Sequence, residues 1–219
     1  MRIKICGLSR EQDIDYVNEA RPDYCGFVFA ESRRQVFPTQ AARLRKRLSD
    51  VIPAVGVFVN APIGEITALY RDGVINIAQL HGGEDEGYIA RLKEASGNTP
   101  IPVIKVIKST SFNNLSRRHG DHKENLNLNS PCPPCLRENY YLIDSGAGSG
   151  ETFDWDLLKS LEIDKPWFLA GGINLDNIEQ AAAINPFGID ISSGAETDGV
   201  KDREKIAQLV AAVRKGKKP

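Results

Sequence analysis

The sequence lacks an excess of charge of either sign. Its 28 Lys and Arg residues face 29 Asp and Glu, a formal net charge of −1 over 219 residues. With no basic footprint and no polybasic face, neither a nucleic-acid partner nor a membrane surface is expected. Long apolar runs are missing too. The longest, near "VIPAVGVFV", falls well short of the ~18 residues that suggest a spanning helix. The N-terminal apolar stretch is short and interrupted by Lys4, so no signal peptide is expected. Cysteine is scarce: four residues do not make a disulfide scaffold in a chain of this length, and in a reducing compartment they are thiols. The expectation is a soluble, cytoplasmic protein. The basic end "KGKKP" reads as a solvated tail.

What the chain does have is 41% hydrophobic residues, enough for a real core. They come as short β-branched runs alternating with charged segments of helical period. The runs are "RIKIC" from Arg2, "YCGFVF" from Tyr24, "AVGVFVN" from Ala54, "NIAQLH" from Asn76, "PVIKVI" from Pro102, "YYLID" from Tyr140, "WFLAGG" from Trp167 and "GIDISSG" from Gly188. Between them lie helix candidates such as "SREQDIDYVNEA", "TQAARLRKRLSD", "EDEGYIARLKEA" and "DREKIAQLVAAVRKG", several opening with a capping residue followed by Glu or Gln. Strands alternating with helices mean βαβ units and a parallel sheet. Eight such units predict an α/β fold, a closed (β/α)8 TIM barrel in a single domain over residues 1–219. An open doubly wound sheet is the rival. One polar, Asn-rich insertion, at about 109–138 before the sixth strand, breaks the rhythm.

In a barrel the chemistry sits at the C-terminal ends of the strands. Those ends are Cys6, Phe29, Asn60, His81, Ile107, Asp144, Gly171–Gly172 and Ser192–Ser193–Gly194. The last two are glycine- and serine-rich turns leading towards helices, the setting in which backbone amides approach a phosphate. The same glycines also suit ordinary tight turns. Cys6 and Asp144 bring a thiol and a carboxylate to the same mouth, a base and an acid for proton transfer. Alone, the cysteine reads equally as a small buried apolar residue and the aspartate as a cap. Lys4 shares the inward face with Cys6. A cation there favours the thiolate, or forms an interior ion pair with Asp190. Lys105 is expected in the same interior layer. Arg33 and Arg34 follow the second strand at the rim, where arginine suits bidentate carboxylate binding.

Two further motifs are weaker. "GAGSG", residues 146–150, lacks the spacing of a dinucleotide loop and reads as a lid. His119, His122, Cys132 and Cys135 are zinc-ligand types within the insertion, but a surface loop with incidental ligands is the simpler reading.

Taken in order, "KICGL", "GFVF" with "SRR", "VGVFVN", "QLHG", "LID", "GSGETFDW", "LAGGI" and "DISSGAE" resemble phosphoribosylanthranilate isomerase of tryptophan biosynthesis. The resemblance implies a cofactor-free, metal-free Amadori rearrangement of a small-molecule phosphosugar. It implies Asp144 as the general acid that opens the furanose and Cys6 as the general base that takes the proton from C2. Arg34 then meets the anthranilate carboxylate, and Gly171, Gly172, Ser192, Ser193 and Gly194 surround the phosphate. Gln79, His81 and Asp190 become residues of the site floor. Acid–base function requires a protonated Asp144 and an ionised Cys6; burial near the substrate is expected to raise the first and cationic neighbours to lower the second. A monomer or weak homodimer is expected. The rivals are another phosphosugar isomerase, a non-enzymatic phosphate-binding or zinc module, and a thiol oxidoreductase using Cys132 and Cys135.

Overall fold

The computed structural model describes residues 1–108, 139–144, 158, 163 and 165–215. The apolar runs form parallel strands β1 (Arg2–Cys6), β2 (Tyr24–Val28), β3 (Ala54–Phe58), β4 (Ile77–Leu80), β5 (Val103–Lys108), β6 (Tyr140–Asp144), β7 (Trp167–Ala170) and β8 (Gly188–Ile191). They pair in chain order and close, β8 against β1, with Lys4 opposite Asp190 and Ile5 opposite Ile191. The barrel is therefore the expected one and the open-sheet rival is excluded. Helices α1 (Glu11–Ala20), α2 (Pro38–Arg47), α3 (Ile63–Arg71), α4 (Glu86–Ala95), α5 (Ile178–Ala183) and α6 (Arg203–Lys215) surround it. A hairpin of β9 (Glu196–Thr197) and β10 (Val200–Lys201) follows β8. No helix among the described residues is long and apolar enough to cross a membrane.

Period-two alternation divides the apolar residues into two cores. Ile3, Ile5, Phe27, Leu80, Ile143 and Leu169 point outward and pack against helix residues such as Ile14, Leu44, Ile66, Leu92 and Leu209. Tyr24, Val55, Ile77, Ile104, Val106, Tyr140, Leu142 and Phe168 fill the interior. The N-terminal end of the barrel is plugged by aromatic rings: Phe168 meets Tyr24 edge-on at 5.7 Å and Phe187 at 5.4 Å. Burying each ring contributes about 1.5–3 kcal/mol. Above this plug the inward positions turn polar.

Two expectations fail here. Lys105 is not in the interior. It pairs in register with Leu80, an outer-core residue, and its Nζ donates to Gly82 O (2.9 Å) and Glu84 Oε2 (3.2 Å). In a run that is apolar on both faces, alternation alone does not say which face turns inward; the neighbouring strands do. The helix caps also differ in part. Asp85 accepts from Tyr88 N (2.7 Å) and Asp202 from Lys205 N (3.0 Å), as a capping residue should. At α1 the acceptor is instead Asp13 within the first turn, which receives Ser9 N and Arg10 N, both at 2.9 Å.

Candidate active site

Strand tilt brings the inward side chains at the C-terminal mouth around a cavity of about 540 Å³. Cys6, Arg34, Gln79, His81, Asp144, Gly171, Gly172, Asp190, Ser192 and Ser193 line it, with an apolar wall of Val28, Val57, Leu142, Ala170 and Ile173. Sequence-distant residues on seven elements thus converge as expected from their strand-end positions. The strand-end residues Phe29, Asn60 and Ile107 do not line it. Phe29 stacks on Phe58 at 5.0 Å, and Asn60 N donates to Glu84.

The floor is a charged network taken out of water. Lys4 is fully buried, and its Nζ donates to Gln79 Oε1 (2.8 Å) and Asp190 Oδ1 (2.9 Å). This is the interior pair that period-two alternation foresaw. Cys6 lies two residues further along the same face and is 6% exposed. A methyl group at position 26 would come within 2.7 Å of its Sγ, so only glycine lets β2 pass beneath the thiol. Burial pushes the Cys6 thiol up; Lys4 pulls it down and Asp190 raises it again, and the balance stays above the ordinary thiol value. The expected net lowering by cations is therefore overturned: the Lys4 charge is shared with Asp190, and desolvation wins. Lys4 is itself desolvated, yet Asp190 and Cys6 hold its pKa above the ordinary value.

Across the cavity, Asp144 ends β6 with its side chain 28% exposed, and its Oδ2 lies 3.5 Å from His81 Nε2. That separation is longer than an ordinary hydrogen bond. Arg34 reaches the cavity from the β2–α2 loop. Its Nε and Nη2 donate to the two carboxylate oxygens of Glu196, at 2.6 and 2.9 Å. Arg33 is not in the lining, and its side chain is 54% exposed.

At the far side, Gly171 and Gly172 have φ of +99° and +63°, which turns the chain sharply at the end of β7. Ser192 and Ser193 lead into a short 3-10 turn, Ser193–Ala195. Gly194 does not line the cavity. A methyl group there would lie 1.9 Å from Ile173 O, so this glycine lets the two turns lie against each other. Sequence reasoning gave no role to Glu196, which it quoted only inside "DISSGAE", nor to Lys201, whose Nζ donates to Ser192 O (2.8 Å) and Glu196 Oε1 (2.7 Å). The lid at 146–150, the zinc-ligand types at His119, His122, Cys132 and Cys135, and the insertion at about 109–138 lie outside the described residues. Among the described residues, no group of three or more His, Cys, Asp and Glu is placed to share a metal ion.

Comparison with known proteins agrees with this geometry. Residues 3–212 match the family model of N-(5'-phosphoribosyl)anthranilate (PRA) isomerase. The N-(5'-phosphoribosyl)anthranilate isomerase of Endomicrobium trichonymphae is 45% identical over 97% of this chain and 98% of its own. The crystal structure of phosphoribosyl anthranilate isomerase from Thermotoga maritima superposes with a TM-score of 0.79 at 29% identity, covering 98% of this chain and 99% of that one. A structure of the isomerase in complex with reduced 1-(o-carboxyphenylamino)-1-deoxyribulose 5-phosphate superposes with a TM-score of 0.75 at 28% identity, covering 98% and 99%. The chain belongs to the N-(5'-phosphoribosyl)anthranilate isomerase family.

Proposed function

We propose that Asp144 and Cys6 carry the reaction of this enzyme as general acid and general base. The enzyme isomerises N-(5'-phosphoribosyl)anthranilate to 1-(2-carboxyphenylamino)-1-deoxyribulose 5-phosphate in tryptophan biosynthesis. Asp144 gives its proton to the furanose ring oxygen, the C1–O bond breaks, and the sugar opens to a protonated Schiff base. The iminium cation acidifies the C2–H bond, and Cys6 takes that proton. The resulting enolamine loses its C2 hydroxyl proton and gains one at C1, which gives the amino ketone. Each transfer from a positioned group is worth about 10²–10⁴ in rate.

The observation that carries this reading is the meeting of a thiol from β1 and a carboxylate from β6 across one cavity, between an arginine and two glycine–serine turns. Arg34 offers Nη1 to the anthranilate carboxylate, and the apolar wall faces its ring. Gly171, Gly172, Ser192 and Ser193 supply the phosphate end, with Gly194 setting the fit of the two turns. Gln79, His81 and Asp190 form the floor. A raised thiol suits a base that is ionised only once the cationic intermediate is bound beside it. We read residues 1–219 as one catalytic barrel with an insertion at about 109–138, acting as a monomer or weak homodimer.

Substrate deuterated at C2 of the ribose, followed by anthranilate fluorescence in single turnover, tests the base. The expected result is a primary isotope effect in the native enzyme and no conversion by Cys6→Ala. Conversion by Cys6→Ala at the native rate would remove Cys6 from the role.

A further inference from the structure

The hairpin after β8 carries a carboxylate to which the reaction above gives no part. The Glu196 side chain is 4% exposed, and its two oxygens hold three cations. Oε1 accepts from Arg34 Nε (2.6 Å) and Lys201 Nζ (2.7 Å); Oε2 accepts from Arg34 Nη2 (2.9 Å) and Arg33 Nη2 (2.5 Å).

A guanidinium gripped along its Nε–Nη2 edge has its plane fixed, because the two parallel donors match the two carboxylate oxygens. The remaining nitrogen, Nη1, is then the one left for a ligand in the cavity that Arg34 lines. The three cations exceed the single carboxylate by two positive charges, one of which a second carboxylate offsets at little rearrangement. Lys201 extends the arrangement, since the ammonium bound to Glu196 also donates to Ser192 O in the turn assigned to phosphate. One buried carboxylate thus connects the two anionic ends of the substrate site.

We infer that Glu196 is a positioning residue that makes Arg34 a clamp selective for an aryl carboxylate. The inference rests on the assignment of Arg34 to the anthranilate carboxylate. It implies selectivity for N-aryl phosphosugars bearing an ortho carboxylate over those without one.

Binding of two inert ligands tests it, with no dependence on Cys6 or Asp144. One is the reduced product, 1-(2-carboxyphenylamino)-1-deoxyribitol 5-phosphate; the other is its 1-phenylamino analogue, which lacks the ring carboxylate. Glu196→Gln is expected to weaken the first by about tenfold and the second by less than about twofold, since only one uses the clamp. Glu196→Asp keeps the charge that Arg33, Arg34 and Lys201 need for folding but shortens the reach, and is expected to show the same selectivity loss in smaller measure. In an Arg34→Ala background, Glu196→Gln should add less than about twofold, because coupled residues are not additive. Equal weakening of both ligands, or an undiminished effect without Arg34, would overturn the inference. Arg34→Ala with native affinity for the carboxylated ligand would instead overturn the assignment of Arg34 and take the inference with it.

Discussion

Lys4 and Asp190 form an ion pair beneath the cavity, Nζ to Oδ1 2.9 Å, with side chains 0% and 8% exposed. A pair this dry costs desolvation energy and is weak evidence for stability by itself. Its place beside Cys6 gives it a chemical consequence. Lys4 lowers the thiol and Asp190 raises it, so the two removals act in opposite directions. Lys4→Met is expected to move the pH midpoint of Cys6 alkylation up, and Asp190→Asn to move it down. Mass spectrometry of the peptide carrying Cys6 reads this without interference from Cys25, which burial pushes up to about 12. Shifts in the same direction would mean that neither charge tunes the thiol.

Gly26 is the second test of how the thiol is held. A Cβ at 2.7 Å from Sγ forces Cys6 off its position while the barrel around it keeps its hydrogen bonds. Gly26→Ala is expected to lower kcat by about 10²-fold, the scale of a misplaced catalytic group, with the reduced product still bound. Native kcat would show that the thiol has room to move without loss.

Gly194→Ala meets backbone rather than a mobile side chain, 1.9 Å from Ile173 O. The two turns must separate. The expected outcome is a loss of about 1–3 kcal/mol in urea unfolding, the range for overpacking, together with weaker binding of phosphate-bearing ligands. A stable variant with native affinity would free Gly194 from any part in holding the turns together.

Glu196 also makes an acid-stability prediction. Burial alone would raise its carboxyl, but Arg34 and Lys201 hold it down at about 2, against 4.5 for an ordinary glutamate. A lowered folded-state value means that the unfolded chain binds the proton first. The stabilisation, about 3 kcal/mol, is present above pH 4.5 and is lost as pH falls from there towards 2. Urea midpoints measured at neutral pH and at progressively lower pH should fall further for the native protein than for Glu196→Gln. Parallel falls would show that this carboxylate stays protonated or unpaired.

Much of this was legible in the chain because barrel strands are short apolar runs and their ends face the site. Period-two alternation put Lys4, Cys6 and Asp190 on one face, and strand ends named seven of the residues that line the cavity: Cys6, His81, Asp144, Gly171, Gly172, Ser192 and Ser193. Alternation failed at Lys105, where both faces of β5 are buried against something and local pattern does not choose between them. Arg34 and Glu196 are 162 positions apart, and no local spacing reports a pairing that the closed barrel alone creates. The direction of the Cys6 shift was misread because a sequence shows the charged neighbours but not the depth of burial, which outweighs them.

The central claim is that one thiol and one carboxylate do the chemistry while other groups do the binding. The most direct measurement is kcat in the fluorescence assay for Cys6→Ala and Asp144→Asn, with the affinity of the reduced product determined on the same samples. The account predicts that each variant loses about 10²-fold or more in kcat and binds the reduced product with near-native affinity. Near-native turnover by either variant would contradict it.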